Sequence, residues 1–397
     1  MNKKNTANKS KRNIRAVLEG VSFVTTVYNE EDSMLAFLES LIVQEFLPGE
    51  IVIVDGGSND NTLNITLDFF RNKVMNIKKI SCSIKEIRED KTVMIGDKKD
   101  GNLVFSSKIF FNVNKKSVNC NDGNKKGDET SKIHIKVIVK KGANISQGRN
   151  IAIRNTKNEI ICVSDAGCIL DKNWVEEITK FYNSRSCNII GGFSCPICDS
   201  FLQRCLAMCI MPKREEVNGS KFMPSSRNIS FKKDVWGSVG GYPENMDYGE
   251  DMKFNFNIKD RGFSVKFNPD AVVYWKMRKD MIQIFKQFFR YAKGDAAGKM
   301  YMYRHMIRFI SFIFLVAALT AAFSLNLWIL IIFIPLFAGY VFKPYSRLSY
   351  IWGEADDIQV RKTNKFLSVL FIPFLLFYID IAKFLGYIYG MAKIKRA

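Results

Sequence analysis

The chain, 397 residues long, predicts an α/β fold: a mostly parallel, doubly wound sheet followed by an amphipathic helix and apolar C-terminal helices. Three observations carry this expectation. Short apolar runs alternate with helix-period patterns at the spacing of βα units, the first, second and fourth of them stop at loops bearing an acid, and residues 309–342 hold no charge at all.

The first strand is Val21 to Val27, closed by Tyr28, Asn29, Glu30 and Glu31 and followed by a helical pattern through Leu35, Leu38, Leu41 and Ile42. The second, Ile51 to Val54, ends in Asp55-Gly56-Gly57-Ser58-Asn59-Asp60 before a helix carrying Leu63, Leu67 and Phe70. A third, Ile135 to Val139, leads through Gly142 into a helix with Gln147, Arg149 and Asn150. The fourth, Ile160 to Val163, reads as a fully buried parallel strand and stops at Ser164-Asp165-Ala166-Gly167. Carboxylates at the carboxyl ends of parallel strands stand where open α/β sheets hold ligands. A turn or helix-cap role competes for each of them, because Asp is a favoured helix start.

Residues 80–134, rich in Lys, Asn and Asp, are longer than a βα connection needs. They read as an insertion with two strand-like patches, Thr92 to Ile95 and Leu103 to Val113. After Trp174 a helix runs to Tyr182 and a strand covers Asn188 to Gly192; a Cys-rich, helix-like segment follows, and then Arg227 and Asn228. A turn at Gly240-Gly241-Tyr242-Pro243 precedes Gly249-Glu250-Asp251, which opens another helix.

The formal charge of +20 is spread along the chain, a balance that suits nucleic acid or an anionic membrane face. Zinc-finger spacing and aromatic ribonucleoprotein motifs are missing, so no nucleic-acid partner is expected and the membrane is favoured. Nine cysteines lie mostly in apolar runs, and residues 1–15 are basic without an apolar stretch. No cleavable leader is therefore expected, and the soluble part should stay in a reducing cytoplasm. Cys195, Cys198, Cys205 and Cys209 admit a zinc reading, but their apolar, helix-like segment favours plain burial of the thiols. Only His134 and His305 exist, so a histidine-based triad or histidine-rich metal site is not expected.

Met281, Ile284, Phe285, Phe288, Phe289 and Ala292 form a helical stripe, with Lys286, Gln287, Arg290 and Lys293 on the opposite face. Directly before an apolar segment, such a helix is expected to lie among the headgroups of an anionic membrane; the alternative is packing on the protein core. The charge-free Phe309 to Phe342 would extend about 50 Å as one helix against a ~30 Å hydrocarbon core, so a hairpin turning near Ser324-Leu325-Asn326 fits better. A third apolar segment, Phe366 to Gly390, is interrupted by Asp380 and Lys383 and flanked by basic residues on both sides, and should lie in the interface or re-enter.

Taken in order, TTVYNEE, VDGGSNDNT, SQGRNIAI, SDAGC, GGYPE with GEDMKF, and QFFRY make the chain, from Val21 to about Tyr291, resemble the family 2 glycosyltransferases of the GT-A fold. The resemblance implies a Rossmann-like catalytic domain over 21–276 carrying the insertion 80–134, after a basic tail, 1–20. An interface helix (277–305), a transmembrane hairpin (306–342), a cytoplasmic loop (343–365) and a membrane-associated end (366–397) would complete a protein of the plasma membrane with its catalytic domain cytoplasmic. The resemblance assigns Tyr28, Glu30, Asp55, Asp60, Arg149 and Asn150 to a nucleotide-sugar donor, and Asp165 to a divalent cation, Mg²⁺ or Mn²⁺, on its diphosphate. Asp251, beside Glu250, would be the general base of an inverting displacement. Arg227, Asn228 and the Q-x-x-R-W-like Gln287, Arg290 and Tyr291 would serve the acceptor side. Two departures stand out: Gly167 replaces the second acid of the family's D-x-D, and Tyr291 replaces its Trp.

The expected activity is transfer of a sugar to a lipid-linked or cell-surface glycan, as in cell-envelope polysaccharide synthesis. A polyprenyl-phosphate sugar synthase and a catalytically inactive, membrane-anchored sugar-nucleotide binder are the alternatives, the second motivated by Gly167.

Overall fold

The computed structural model describes residues 16–76, 95–99, 102–112, 130–182, 187–324, 326–353 and 358–394. Its first elements are β1 (Ala16–Val27), α1 (Glu31–Ile42), β2 (Phe46–Asp55), α2 (Thr62–Asn76), β3 (Ile95–Lys99), β4 (Asn102–Asn112) and β5 (Thr130–Val139). Then come α3 (Ile145–Arg154), β6 (Ile160–Val163), β7 (Cys168–Leu170), α4 (Trp174–Thr179), β8 (Ile189–Ile197), α5 (Phe201–Ile210), β9 (Ile229–Lys232), α6 (Lys233–Ser238), α7 (Glu250–Asp260) and β10 (Lys266–Lys276). The remainder is helical: α8 (Met281–Ala297), α9 (Met302–Ser324), α10 (Phe333–Ser346), α11 (Leu348–Ile351) and α12 (Ile358–Ile394).

The chain divides into two compact units. The first comprises the described parts of Met1–Phe193 with Met223–Tyr242 and Ile258–Val273. The sheet runs β3-β4-β5-β2-β1-β6-β9-β8-β10-β7, and its centre, β5-β2-β1-β6, is parallel as the alternation of apolar runs and helices required. The outer pairs β3-β4, β4-β5, β6-β9 and β8-β9 are antiparallel. Within the insertion β3 and β4 pair antiparallel, with Lys99 opposite Asn102; its residues 80–94, 100–101 and 113–129, like residues 1–15 of the basic tail, lie outside the described residues.

Buried aromatic side chains fill the core of this unit. Phe23 of β1 meets Phe37 and, edge-on, Trp174, all three fully buried. One buried acid pins the central strands: Glu50 accepts from Ser22 Oγ (2.7 Å), Lys136 Nζ (2.9 Å) and the Lys157 amide (2.8 Å). Burial pushes its carboxyl up, but these donors outweigh that and hold it below the usual carboxylate range.

The second unit comprises Ser194–Phe222, Pro243–Asn257 and the described part of Tyr274–Ala397. Its core joins Cys205, Leu206 and Met208 of α5, Ile284 and Phe288 of α8, Trp352, and Ile372, Leu375, Ile379 and Ala382 of α12. Two expectations are corrected here. The apolar stripe of α8 is covered by α5 and α12 of the same unit rather than by lipid tails, and Gln287, expected on the exposed face, is buried. The cause is Gly386 and Gly390, which have no side chains and so bring α12 against the α8 backbone at Phe289 and Lys293. Further along, α9 ends at Ser324, and a short 3-10 turn, Leu327–Ile332, leads into α10.

Candidate functional site

Adjacent parallel strands bring three loops to one edge of the sheet. Val27 pairs with Asp55, and Val24 with Val163, so the loops after β1, β2 and β6 emerge side by side at the carboxyl ends. The chain goes from β1 to β2 on one side and returns to β6 on the other, which makes the end of β1 the switch point of the strand order.

The loops after β1 and β2 are stapled together. Asn29 adopts a left-handed φ of 54°, its amide donates to Ser58 Oγ (3.0 Å), and its Oδ1 accepts from the Asn59 amide (2.9 Å). The Glu30 amide donates to Thr62 Oγ1 (2.7 Å), and Asp60 accepts from the amides of Glu31 and Thr62 and from the Thr62 hydroxyl. Burial raises the Asp60 carboxyl, these donors outweigh it, and its pKa falls below the usual value. Asp60 is thus engaged in joining two loops, while Tyr28 beside them is 55% exposed.

Asp55 closes β2 and is only 1% exposed. Its Oδ1 accepts from the amides of Gly57 and Ser58, both at 2.7 Å, whereas its buried Oδ2 has no hydrogen-bond partner among the described residues. Gly57 makes the turn possible: its φ is +92°, and a Cβ there would meet the Lys141 backbone at 2.9 Å.

The SQGRN stretch forms the start of α3, capped reciprocally by Asn144 and Gln147. Arg149, 2% exposed, lies over the Tyr242 ring (5.2 Å) and donates to Asp165 Oδ1 at 2.8 Å. Its neighbour Asn150 is buried in scaffold: Nδ2 donates to the Tyr242 carbonyl (2.8 Å), and Oδ1 accepts from the Tyr242 amide and Trp236 Nε1. Asn228 behaves likewise, accepting from Trp174 Nε1 (2.8 Å) and donating to the carbonyls of Phe193 and Ala271. Both were expected at substrate, and the structure instead makes them ties between strands and turns.

The loop after β6 gathers charge. Burial pushes the Cys168 thiol up to about 12, with the charge of Arg227 opposing the rise and those of Asp165 and Glu30 adding to it. Asp165 keeps a third of its side chain exposed. A Cβ at Gly167 would stand 3.9 Å from Oε2 of Glu30, so a carboxylate oxygen lies next to the position where the D-x-D pattern would carry its second acid. Among the described residues no group of three or more His, Cys, Asp or Glu side chains is arranged to hold a metal ion. The oxygen donors present fit a hard cation held by one or two carboxylates together with substrate phosphates, the usual manner for Mg²⁺. Burial pushes the thiol of Cys198 up to about 12 and that of Cys205 to about 11, the behaviour of cysteines in apolar surroundings.

In the second unit, Glu250 and Asp251 open α7 after Gly249, whose φ is +73°. Asp251 Oδ1 accepts from the Met252 amide (2.8 Å). Gln287 accepts from Arg278 Nε (3.1 Å) and donates to the Tyr291 hydroxyl (3.0 Å), tying two members of the QFFRY stretch together. Arg290 is exposed and lies over Tyr248, 5.4 Å from its ring centre, with Lys293 at 5.5 Å from the same ring. No motif singled out Tyr248; the only signal was its place before Gly249.

Comparison with known proteins agrees with the motif order. The chain is 20% identical over 350 residues to the glycosyltransferase AglE of Haloferax volcanii, a match covering 87% of this chain and 91% of that one. Over 55 residues it is 40% identical to the poly-beta-1,6-N-acetyl-D-glucosamine synthase of Staphylococcus epidermidis, 14% of this chain and 13% of that one. Among solved structures, the mannosyltransferase PcManGT from Pyrobaculum calidifontis in complex with GDP-Man and Mn²⁺ is similar with a TM-score of 0.47 at 14% identity, covering 94% of this chain and 86% of that one. Glycosyl transferase family 2 matches residues 22–86, the β1-β2 region with its stapled loops. Glycosyl transferase family group 2 matches residues 165–379, more than half of the chain and starting at Asp165 itself, and the protein belongs to that family as a sugar-transferring enzyme.

Proposed function

We propose that the protein transfers a sugar from a nucleotide-sugar donor to a lipid-linked or cell-surface glycan acceptor at the cytoplasmic face of the plasma membrane, with inversion at the anomeric carbon. The observation that carries the donor half is Asp55: a buried carboxylate oxygen without a partner is costly, and an N–H of a nucleotide base would satisfy it. The exposed Tyr28 ring at the same edge offers the base a stacking face, with Glu30 beside it. Asp165 would hold Mg²⁺ or Mn²⁺ on the diphosphate, and that cation supplies charge neutralisation for the leaving group. Arg149, buried and paired with Asp165, orients the carboxylate rather than reaching substrate.

Asp251 takes the proton of the acceptor hydroxyl. The oxygen then bonds to the anomeric carbon from the face opposite the diphosphate, whose bond to that carbon breaks, and the electron pair leaves with the nucleoside diphosphate. Glu250, Arg227 and the pair Arg290 and Tyr291 are assigned to the acceptor side of this reaction.

For donor and cation, the experiment is a thermal-shift screen of UDP- and GDP-linked hexoses with and without Mn²⁺. A stabilising donor is expected, its shift larger with Mn²⁺, and Asp165→Ala should weaken that donor about tenfold or more and abolish the Mn²⁺ increment. An increment unchanged in Asp165→Ala would move the cation away from this residue.

The membrane half rests on α9 and α12, both long and apolar enough to cross a bilayer. The 23 residues of α9 span about 34 Å, and Ile310, Ile313, Val316 and Phe323 are exposed along it. With α9 intact the chain should float with vesicles containing anionic lipid and resist extraction by high salt, since apolar insertion is not screened. Release by salt alone would leave only a charged surface contact.

A further inference from the structure

The turn between α8 and α9 is strained. Lys299 and Tyr301 both adopt left-handed backbone conformations, with φ of 53° and 50°, although neither is glycine. Such conformations are unfavourable for L side chains and persist where surrounding contacts demand them. The demand here comes from α7. Tyr301 directs its hydroxyl to Met252 Sδ (3.5 Å) and lays its ring edge-on to Phe256, with centroids 5.3 Å apart.

The stretch just before α7 is held from the same side. Gly294 of α8 leaves no room for a Cβ, because its backbone abuts the Tyr248 carbonyl; a Cβ on Gly249 would in turn meet Met300 and the Gly294 backbone. Tyr248 itself is contacted by Arg290 and Lys293, so cation–π attraction adds to the close backbone fit. Residues 248 and 249 on one side of Asp251, and 252 and 256 on the other, are thus all fixed by α8 and the strained turn. Burial raises the Tyr301 hydroxyl pKa, Arg304 opposes the rise, and Asp295 and Asp251 add to it; the hydroxyl stays protonated and Asp251 lies within its field.

We propose that Tyr301 is a positioning residue for Asp251: the strained turn presses its ring against the first two turns of α7 and thereby fixes where the carboxylate points. The proposal rests on the reading of Asp251 as general base. It also makes Met302, the first residue of α9, the immediate neighbour of a group that sets the catalytic geometry.

The test uses the full chain in vesicles, with Tyr301→Ala, Tyr301→Phe, Asp251→Asn and the double variant Tyr301→Ala/Asp251→Asn. Amide exchange at residues 252–256 should quicken about tenfold in Tyr301→Ala while β1 and β2 keep their protection. Turnover, read as nucleoside diphosphate released from the donor that a panel of UDP- and GDP-hexoses selects, should fall about tenfold or more with donor KM within about twofold. Tyr301→Phe, which keeps the ring, should restore most of it. In the Asp251→Asn background Tyr301→Ala should cost nothing further, because the group it positions is gone. Unaltered exchange at 252–256, or the same fractional loss of turnover in both backgrounds, overturns the proposal. Parental turnover in Asp251→Asn sinks the base assignment and the proposal with it; an inactive Asp251→Asn beside a fully active Tyr301→Ala sinks the positioning alone.

Discussion

Asp251→Asn is expected to lower turnover by about 10² or more while the donor binds nearly as before, since a general base acts in the transition state and contributes little to the ground state. The substitution is close to isosteric. Asp251 Oδ1 accepts from the Met252 amide, and an Asn side chain retains an oxygen for that bond, so α7 should start where it does now. A loss of folding is therefore not the expected route to inactivity, and a melting curve on the same sample separates the two. The decisive comparison is donor Kd against kcat. Equal weakening of both would mean that Asp251 holds the donor or only caps α7, and the proton would have to leave by another group.

The second large effect is on stability. Asn228→Ala removes one side chain that accepts from Trp174 Nε1 and donates to two carbonyls, at a site only 2% exposed. Each buried polar group left without a partner costs about 1–3 kcal/mol, and relaxation recovers part, so about 3–5 kcal/mol is expected in all. Gly192 shows how closely the site is packed: a Cβ there would collide with the Asn228 amide and the Ala271 carbonyl. Against a typical stability of 5–15 kcal/mol such a loss is readily seen in the urea midpoint. Arg227→Ala, one residue away, should move that midpoint far less and act on transfer. A midpoint unchanged in Asn228→Ala would return this residue to the substrate.

The contrast between these neighbours shows what was legible in the sequence. Asp55 and Asp165 could be placed at strand ends because the apolar runs before them have the length and abrupt stop of buried parallel strands, a local property. Asn150 and Asn228 were assigned to substrate by the resemblance, which compares short motifs residue by residue and is equally local. Their actual partners, Tyr242 and Ala271, lie far along the chain and are reached through main-chain atoms, which carry no sequence signature. The α8 stripe failed in the same way. Its periodicity reported correctly that one face is buried, but the surface covering it comes from α12, and period alone does not distinguish lipid from a later helix. The strained turn at Lys299 and Tyr301 had no signal at all, since neither residue type announces a left-handed backbone.

Strand order also sets a schedule for synthesis. β1 leaves the ribosome first, yet its partner on one side, β6, is made more than a hundred residues later, and the last strand, β10, ends only at Lys276. Non-local pairing of this kind forms slowly, so the sheet is held open through most of translation, with apolar β1 and β2 waiting for their neighbours. The first long apolar helix begins at Met302, about 25 residues after β10, which at ~5–20 residues per second follows within seconds. If α9 enters a membrane, as proposed, the nascent chain presents an unfinished sheet and an inserting segment almost together. Insertion of α9 would then overlap with closure of the sheet, and slowing translation between Lys276 and Met302 should raise the yield of folded enzyme.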